Sequence, residues 1–266
     1  MQDTPGRGET QRRPTSTSRY NRGAVIYDTA VFLCAIAAGA VAAISGFGIG
    51  SLLTPLLAIQ AGTKTAVAAV SIPHLIGTGI RFWRLRRSLD RGVLWRFGLT
   101  SAAGGLAGAM LNARAPSGRL TVVLGSLLVF AGAAQISGQS QRWRFHGSVA
   151  WLAGAVSGLF GGLVGNQGGI RSAALLGFDL PKERFVATAT AIALFVDAAR
   201  MPVYMAAQHA EVAAIWPLVL FATVGVVCGT LAGEPVLARV PEQRFKQVVG
   251  VIVLMLGIAI LLRRSA

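Results

Sequence analysis

The sequence predicts an all-α integral membrane protein of about eight transmembrane helices. These form two four-span repeats, each holding a glycine-rich broken or re-entrant segment. Three observations carry this expectation. The 266 residues are 53% hydrophobic and only 13% charged, about half the charged share of a soluble domain. The apolar residues fall in long runs free of Asp, Glu, Lys and Arg. The chain also matches itself after a shift of about 120 residues. Such apolar content excludes a disordered chain, and two lone cysteines exclude a disulfide-stapled domain.

Charge-free runs cover 29–63, 65–80, 97–113, 120–141, 145–170, 212–233 and 247–262, and 185–210 is interrupted only by Asp197 and Arg200. A spanning helix needs about 20 apolar residues. The spans therefore fall near 24–44, 65–82, 93–112, 119–138, 147–164, 184–205, 212–232 and 245–262. Residues 1–23, with five Arg and two acids, read as a disordered basic cytoplasmic tail. Tail, apolar run and Ala40-Val41-Ala42 imitate a signal peptide. The segment has an internal counterpart that cannot be a signal, which argues against that reading.

A shift of 119 brings Gly46 onto Gly165, Gly50 onto Gly169, Val67-Ala68 onto Val186-Ala187 and Arg81 onto Arg200. Further on, a shift of 125 lays Arg114, Pro116 and Arg119 on Arg239, Pro241 and Arg244, and Gly125 and Gly132 on Gly250 and Gly257. Residues 24–138 thus form the first transmembrane repeat and 147–264 the second. With the N-terminus inside, eight spans collect 15 Lys and Arg on the cytoplasmic side and eight opposite. That bias predicts cytoplasmic termini. Four spans per half make the repeats parallel; full crossings by the glycine segments make them inverted.

Those segments are the most informative part of the chain. The uncharged run 29–63 has 35 residues, too long for one span and short for two with a turn. It holds Gly46, Gly48, Gly50 and Ser51, and the second half has Gly165, Asn166, Gln167, Gly168, Gly169, Arg171 and Ser172. Glycine inside a helix costs about 1 kcal/mol relative to alanine, so clusters break helices. Broken backbone at membrane depth needs protein or a water-filled cavity around it. Paired interruptions in two repeats mark a transporter's substrate site, and the structural alternative is close helix packing. A helix restarting after the break points unpaired N–H groups at the gap, favouring an anion. Asn166, Gln167 and Ser172 add neutral donors and Arg171 a charge.

A charge within a span usually has a partner or a role. Asp197 and Arg200 lie three apart and can pair. They form either a self-neutralising pair or an anion contact, Arg200, beside a proton-coupling carboxylate, Asp197. Arg81 is followed by Arg84, Arg86 and Arg87, which predicts snorkelling to the interface. His74 has the titration range for proton coupling, against the plainer reading of a hydrogen-bonded packing residue. Ser71 aligns with Thr190 just beyond the glycine segments, where hydroxyls line a site or bond back to the helix.

The duplicated glycine motif, the Ala66-Val67-Ala68-Ala69-Val70-Ser71 stretch and the Arg-x-Pro-x-x-Arg element together resemble the sulfite exporter TauE/SafE family of membrane transporters. The resemblance covers about residues 25–262. It implies a secondary transporter of sulfite, an organosulfonate or a related sulfur-containing anion; coupling to protons is a separate expectation that rests on Asp197 and His74 alone. The alternatives are another small anion, or a non-transporting scaffold or assembly subunit. The expected partners are the lipid bilayer and a small anionic substrate, with no nucleic acid, because the basic residues lie between apolar blocks. Glycine-mediated packing is compatible with a monomer or a homodimer. No Walker-type loop and no His/Cys/Asp/Glu cluster with ligand spacing is present. Neither cofactor, metal nor enzyme activity is therefore expected. The expected location is the cell membrane, multi-pass, with the bacterial inner membrane as setting.

Overall fold

The computed structural model describes residues 16–45, 48–138, 145, 147–166, 168–237 and 242–265. Among them the chain is helix and turn, with no strand. In order these are α1 (Ser16–Ser45), α2 (Ile49–Leu85), α3 (Arg91–Arg114), α4 (Ser117–Ile136), α5 (Gly147–Val164), α6 (Gly168–Leu176), α7 (Lys182–Ala214), α8 (Trp216–Leu237) and α9 (Glu242–Ser265). The spans expected from charge-free runs fall on helices, except that 212–232 straddles the junction of α7 and α8 at Ile215 and 119–138 runs two residues past α4. Five of the described helices are long and apolar enough to cross a membrane: α1, α2, α4, α5 and α7. Trp216–Ala232 and Gln247–Arg263 are shorter apolar stretches.

Local chemistry sets the breaks. Gly62 adopts φ 76° inside α2, a region glycine enters without a Cβ clash. It divides α2 into residues 49–61, roughly 20 Å long, and a second arm from 63. Asp90 caps α3 by accepting from the Val93 N–H at 2.9 Å. Pro116 and Pro181 sit immediately before α4 and α7, where a missing N–H is harmless. Within α7 the regular helix lapses at Gln208. The two short helices, 49–61 and Gly168–Leu176, occupy segments expected only to be broken.

Small residues let three helix pairs approach closely. A Cβ on Gly39 of α1 would fall 2.3 Å from the Val226 carbonyl of α8, and one on Gly158 of α5 1.9 Å from the Ser101 carbonyl of α3. Adding 119 to 39 gives 158, and subtracting 125 from 226 gives 101. The same offsets convert the Gly229–Ile36 contact into Gly104–Ala155. Within α1/α8 and α3/α5 the partners run in the same direction. In α4/α9, where Gly125 meets Leu261 and Gly132 meets Gly250, they run opposite.

These directions define two ends. At one, Thr63 meets Thr121 at 2.8 Å and the Lys64 ammonium donates to the Ala113 carbonyl at 2.6 Å. At the other, Ser88 bonds Glu183 and the Asp90 N–H donates to Thr188 at 3.0 Å. The start of α1 lies at the first end, and Arg84, Arg86, Arg87 and Arg91 lie at the second. Counted over eight spans, with the six Arg of 81–96 among the 15 cytoplasmic charges, residues 81–96 fall on the side of the tail. That count assumed that the glycine segments add no reversal of the chain; the helix 49–61 adds one.

Candidate functional site

The two glycine segments meet. A Cβ on Gly50 would lie 2.1 Å from the Gly165 carbonyl, so only glycine at 50 admits the crossing. Gly48 (φ 134°) and Gly165 (φ 74°) make the reversals, and helices restart at Ile49 and Gly168. The Ser51 hydroxyl donates to the Asn166 side-chain oxygen at 3.1 Å, tying the breaks together. Thr54, one turn beyond Gly50, is fully buried, and its hydroxyl has no partner among the described residues. Gly168 is buried, Ser172 half-buried and Gly169 exposed. Gly46 and Gln167 lie outside the described residues.

Behind this crossing lies a buried charge cluster. Asp197 is fully buried and accepts from His74 Nδ1 at 2.7 Å, from Arg200 Nε at 3.0 Å and from a terminal Arg200 nitrogen at 2.8 Å. The pairing of Asp197 with Arg200 follows their i,i+3 spacing. His74 is not alone in an apolar span; it bridges α2 to α7, with Thr78 Oγ1 at 3.5 Å from the same ring nitrogen that meets Asp197. Arg81 does not snorkel. It is 3% exposed, donating to the Ala42 carbonyl and to Thr78 Oγ1. A guanidinium with fixed acceptors inside the fold has no need of the interface. Arg171 is also buried, within Coulombic range of Arg81, Asp197 and Arg200.

The 119 offset reappears in these bonds. Arg81 reaches Ala42 and Thr78; Arg200 reaches Gly161 and Asp197. Each arginine takes a carbonyl from the last turn of the helix preceding its glycine break. Such ends carry partial negative charge and unpaired acceptors. The third position differs: a hydroxyl, Thr78, stands where the other half has the carboxylate of Asp197. Among the described residues, three buried guanidinium groups thus surround one buried carboxylate. Isolated charges are costly to bury unless they are paired and hydrogen-bonded.

Ser71 bonds back to the Ala68 carbonyl at 2.5 Å and touches the Met201 sulfur at 3.3 Å. Thr190 is buried, with no hydroxyl partner among the described residues. Sequence reasoning missed Thr54, Thr78 and Tyr204, whose hydroxyl donates to the Gly162 carbonyl. Thr78 was within reach, since subtracting 119 from Asp197 lands on it. Thr54 carried no signal beyond lying one turn from Gly50.

No curated protein and no solved structure matches the chain. A family model does, that of sulfite exporter TauE/SafE, over residues 31–260. That match runs through both glycine breaks, the charge cluster and nearly every helix. The chain belongs to the sulfite exporter TauE/SafE family, a family of membrane transporters.

Proposed function

We propose that the protein is a secondary transporter of a small sulfur-containing oxyanion. The anion sits where the two glycine breaks cross, facing Arg171 and the donors of Asn166. The observation that carries this reading is the crossing itself, Gly50 against the Gly165 carbonyl with Ser51 bonded to Asn166, in a fold that also buries Arg81, Arg171 and Arg200. Two helix N-termini, at Ile49 and Gly168, add partial positive charge at the same place. Family membership supplies the sulfur chemistry.

The shared offsets and opposed helix directions support two inverted units, α1 to α4 and α5 to α9. Each unit holds a short helix that returns part-way after its glycine break. Inverted halves sharing one central site are the architecture of alternating access. His74 of the first half bonds Asp197 of the second, and in this reading its protonation is linked to the relative motion of the halves. In this reading the termini share one side of the membrane.

The test is uptake into proteoliposomes of labelled sulfite, sulfate, a small organosulfonate, a carboxylate and a neutral control, with and without a pH gradient. Saturable flux of a sulfur anion is expected. It should be lost in Arg171→Ala and partly kept in Arg171→Lys. Flux that rises with the gradient in the parent, and ignores it in His74→Gln, is expected from the coupling role. Absence of anion flux from folded protein would overturn the proposal.

A further inference from the structure

We infer that Thr54 is a specificity-determining residue of the crossing, donating its hydroxyl to one oxygen of the bound oxyanion. The inference rests on the anion-site reading and adds a residue to it. Thr54 is fully buried and its Oγ1 has no partner among the described residues. A helical threonine ordinarily satisfies its hydroxyl on the carbonyl one turn back, as Thr121 and Thr223 do here on Ser117 and Val219. Thr54 forgoes that bond, and a buried hydroxyl left unpaired calls for a partner.

The place of this hydroxyl says what the partner is. Oγ1 lies 3.1 Å from where a Cβ on Gly165 would project and 4.0 Å from where one on Gly50 would. It therefore faces the point at which the two breaks touch, within the first turns after the N-terminus at Ile49. The repeat position, Ala173, has no hydroxyl, so the crossing is asymmetric. The first half brings Ser51 and Thr54, the second brings Asn166, and the anion-site reading adds Arg171. Ser51 occupies the oxygen of Asn166, leaving the amide N–H groups as donors. Donors from both halves, with a guanidinium on one side, suit an anion whose oxygens point in different directions, such as a pyramidal or tetrahedral sulfur oxyanion.

The experiment compares sulfite binding by purified parent, Thr54→Val and Thr54→Ser, alongside thermal melting of each. Valine keeps the shape and deletes the hydroxyl. A weakening of about ten- to hundredfold is expected for Thr54→Val, with Thr54→Ser near the parent and Thr54→Val melting at or above the parent temperature. Higher stability from losing a buried polar group is what an unfilled ligand contact predicts and a structural hydrogen bond does not. Unchanged affinity in Thr54→Val, or equal weakening in both variants, would overturn the assignment. Loss of melting temperature in step with affinity would make the hydroxyl structural. Absence of sulfite binding by the parent would sink the anion reading and this assignment together.

Discussion

Positions 50 and 169 are equivalent under the 119-residue offset, yet the tertiary structure treats them oppositely. A methyl group on Gly50 would stand 2.1 Å from the Gly165 carbonyl oxygen. An ordinary carbon–oxygen contact is about 3.3 Å or more, so the segments would have to part by more than about 1 Å. That displacement acts on a residue held at φ 74° and next to Asn166, and it pulls on the 3.1 Å Ser51–Asn166 bond. Overpacking of this kind costs about 1–3 kcal/mol. For a chain of this length each kcal/mol lowers the melting temperature by roughly 2–4 °C. Gly50→Ala should therefore melt about 5 °C lower and bind its anion weakly. Gly169 is exposed, has an ordinary φ and open space among the described residues at its Cβ position. Gly169→Ala should melt with the parent or slightly above, since alanine favours helix by about 1 kcal/mol. Both are read by fluorescence melting in detergent with anion titration. Equal shifts in the two variants, or a Gly50→Ala that melts with the parent, would refute the crossing.

Two further outcomes follow from the same geometry. Asp197→Asn leaves Arg200 and His74 buried without their carboxylate, a loss of about 3–5 kcal/mol. Folded yield and melting temperature should fall sharply and recover in part in Asp197→Asn with Arg200→Met; a single variant as stable as the parent would contradict the pairing. In a background without Cys34 and Cys228, Arg87→Cys and Gly118→Cys should react with an impermeant maleimide from opposite sides of the membrane. The N-terminus should lie on the side of Gly118; labelling of both from one side would contradict the helix directions.

Much of this was legible in the order of residues, because the signals are local. Apolar runs located the long helices, and glycine clusters located both breaks. An i,i+3 spacing predicted the Asp197–Arg200 pair. The self-match also foreshadowed the twin arginines, although neighbouring charges misplaced Arg81 at the interface. The restarted helices at 49–61 and Gly168–Leu176 were hidden, because short helices in glycine-rich stretches have no apolar period long enough to read.

Composition and periodicity by themselves determined that the chain is a bundle of apolar helices with two interruptions, because burial in lipid and glycine's backbone freedom act residue by residue. Only the tertiary structure decided that His74 meets Asp197 across 123 residues and Ser51 meets Asn166 across 115. It alone set Gly50 against the Gly165 carbonyl while leaving open space at Gly169, and it left the buried Thr54 hydroxyl without a partner among the described residues. Such pairings depend on how helices pass one another, and two halves that share a pattern need not share an environment once one packs against the other.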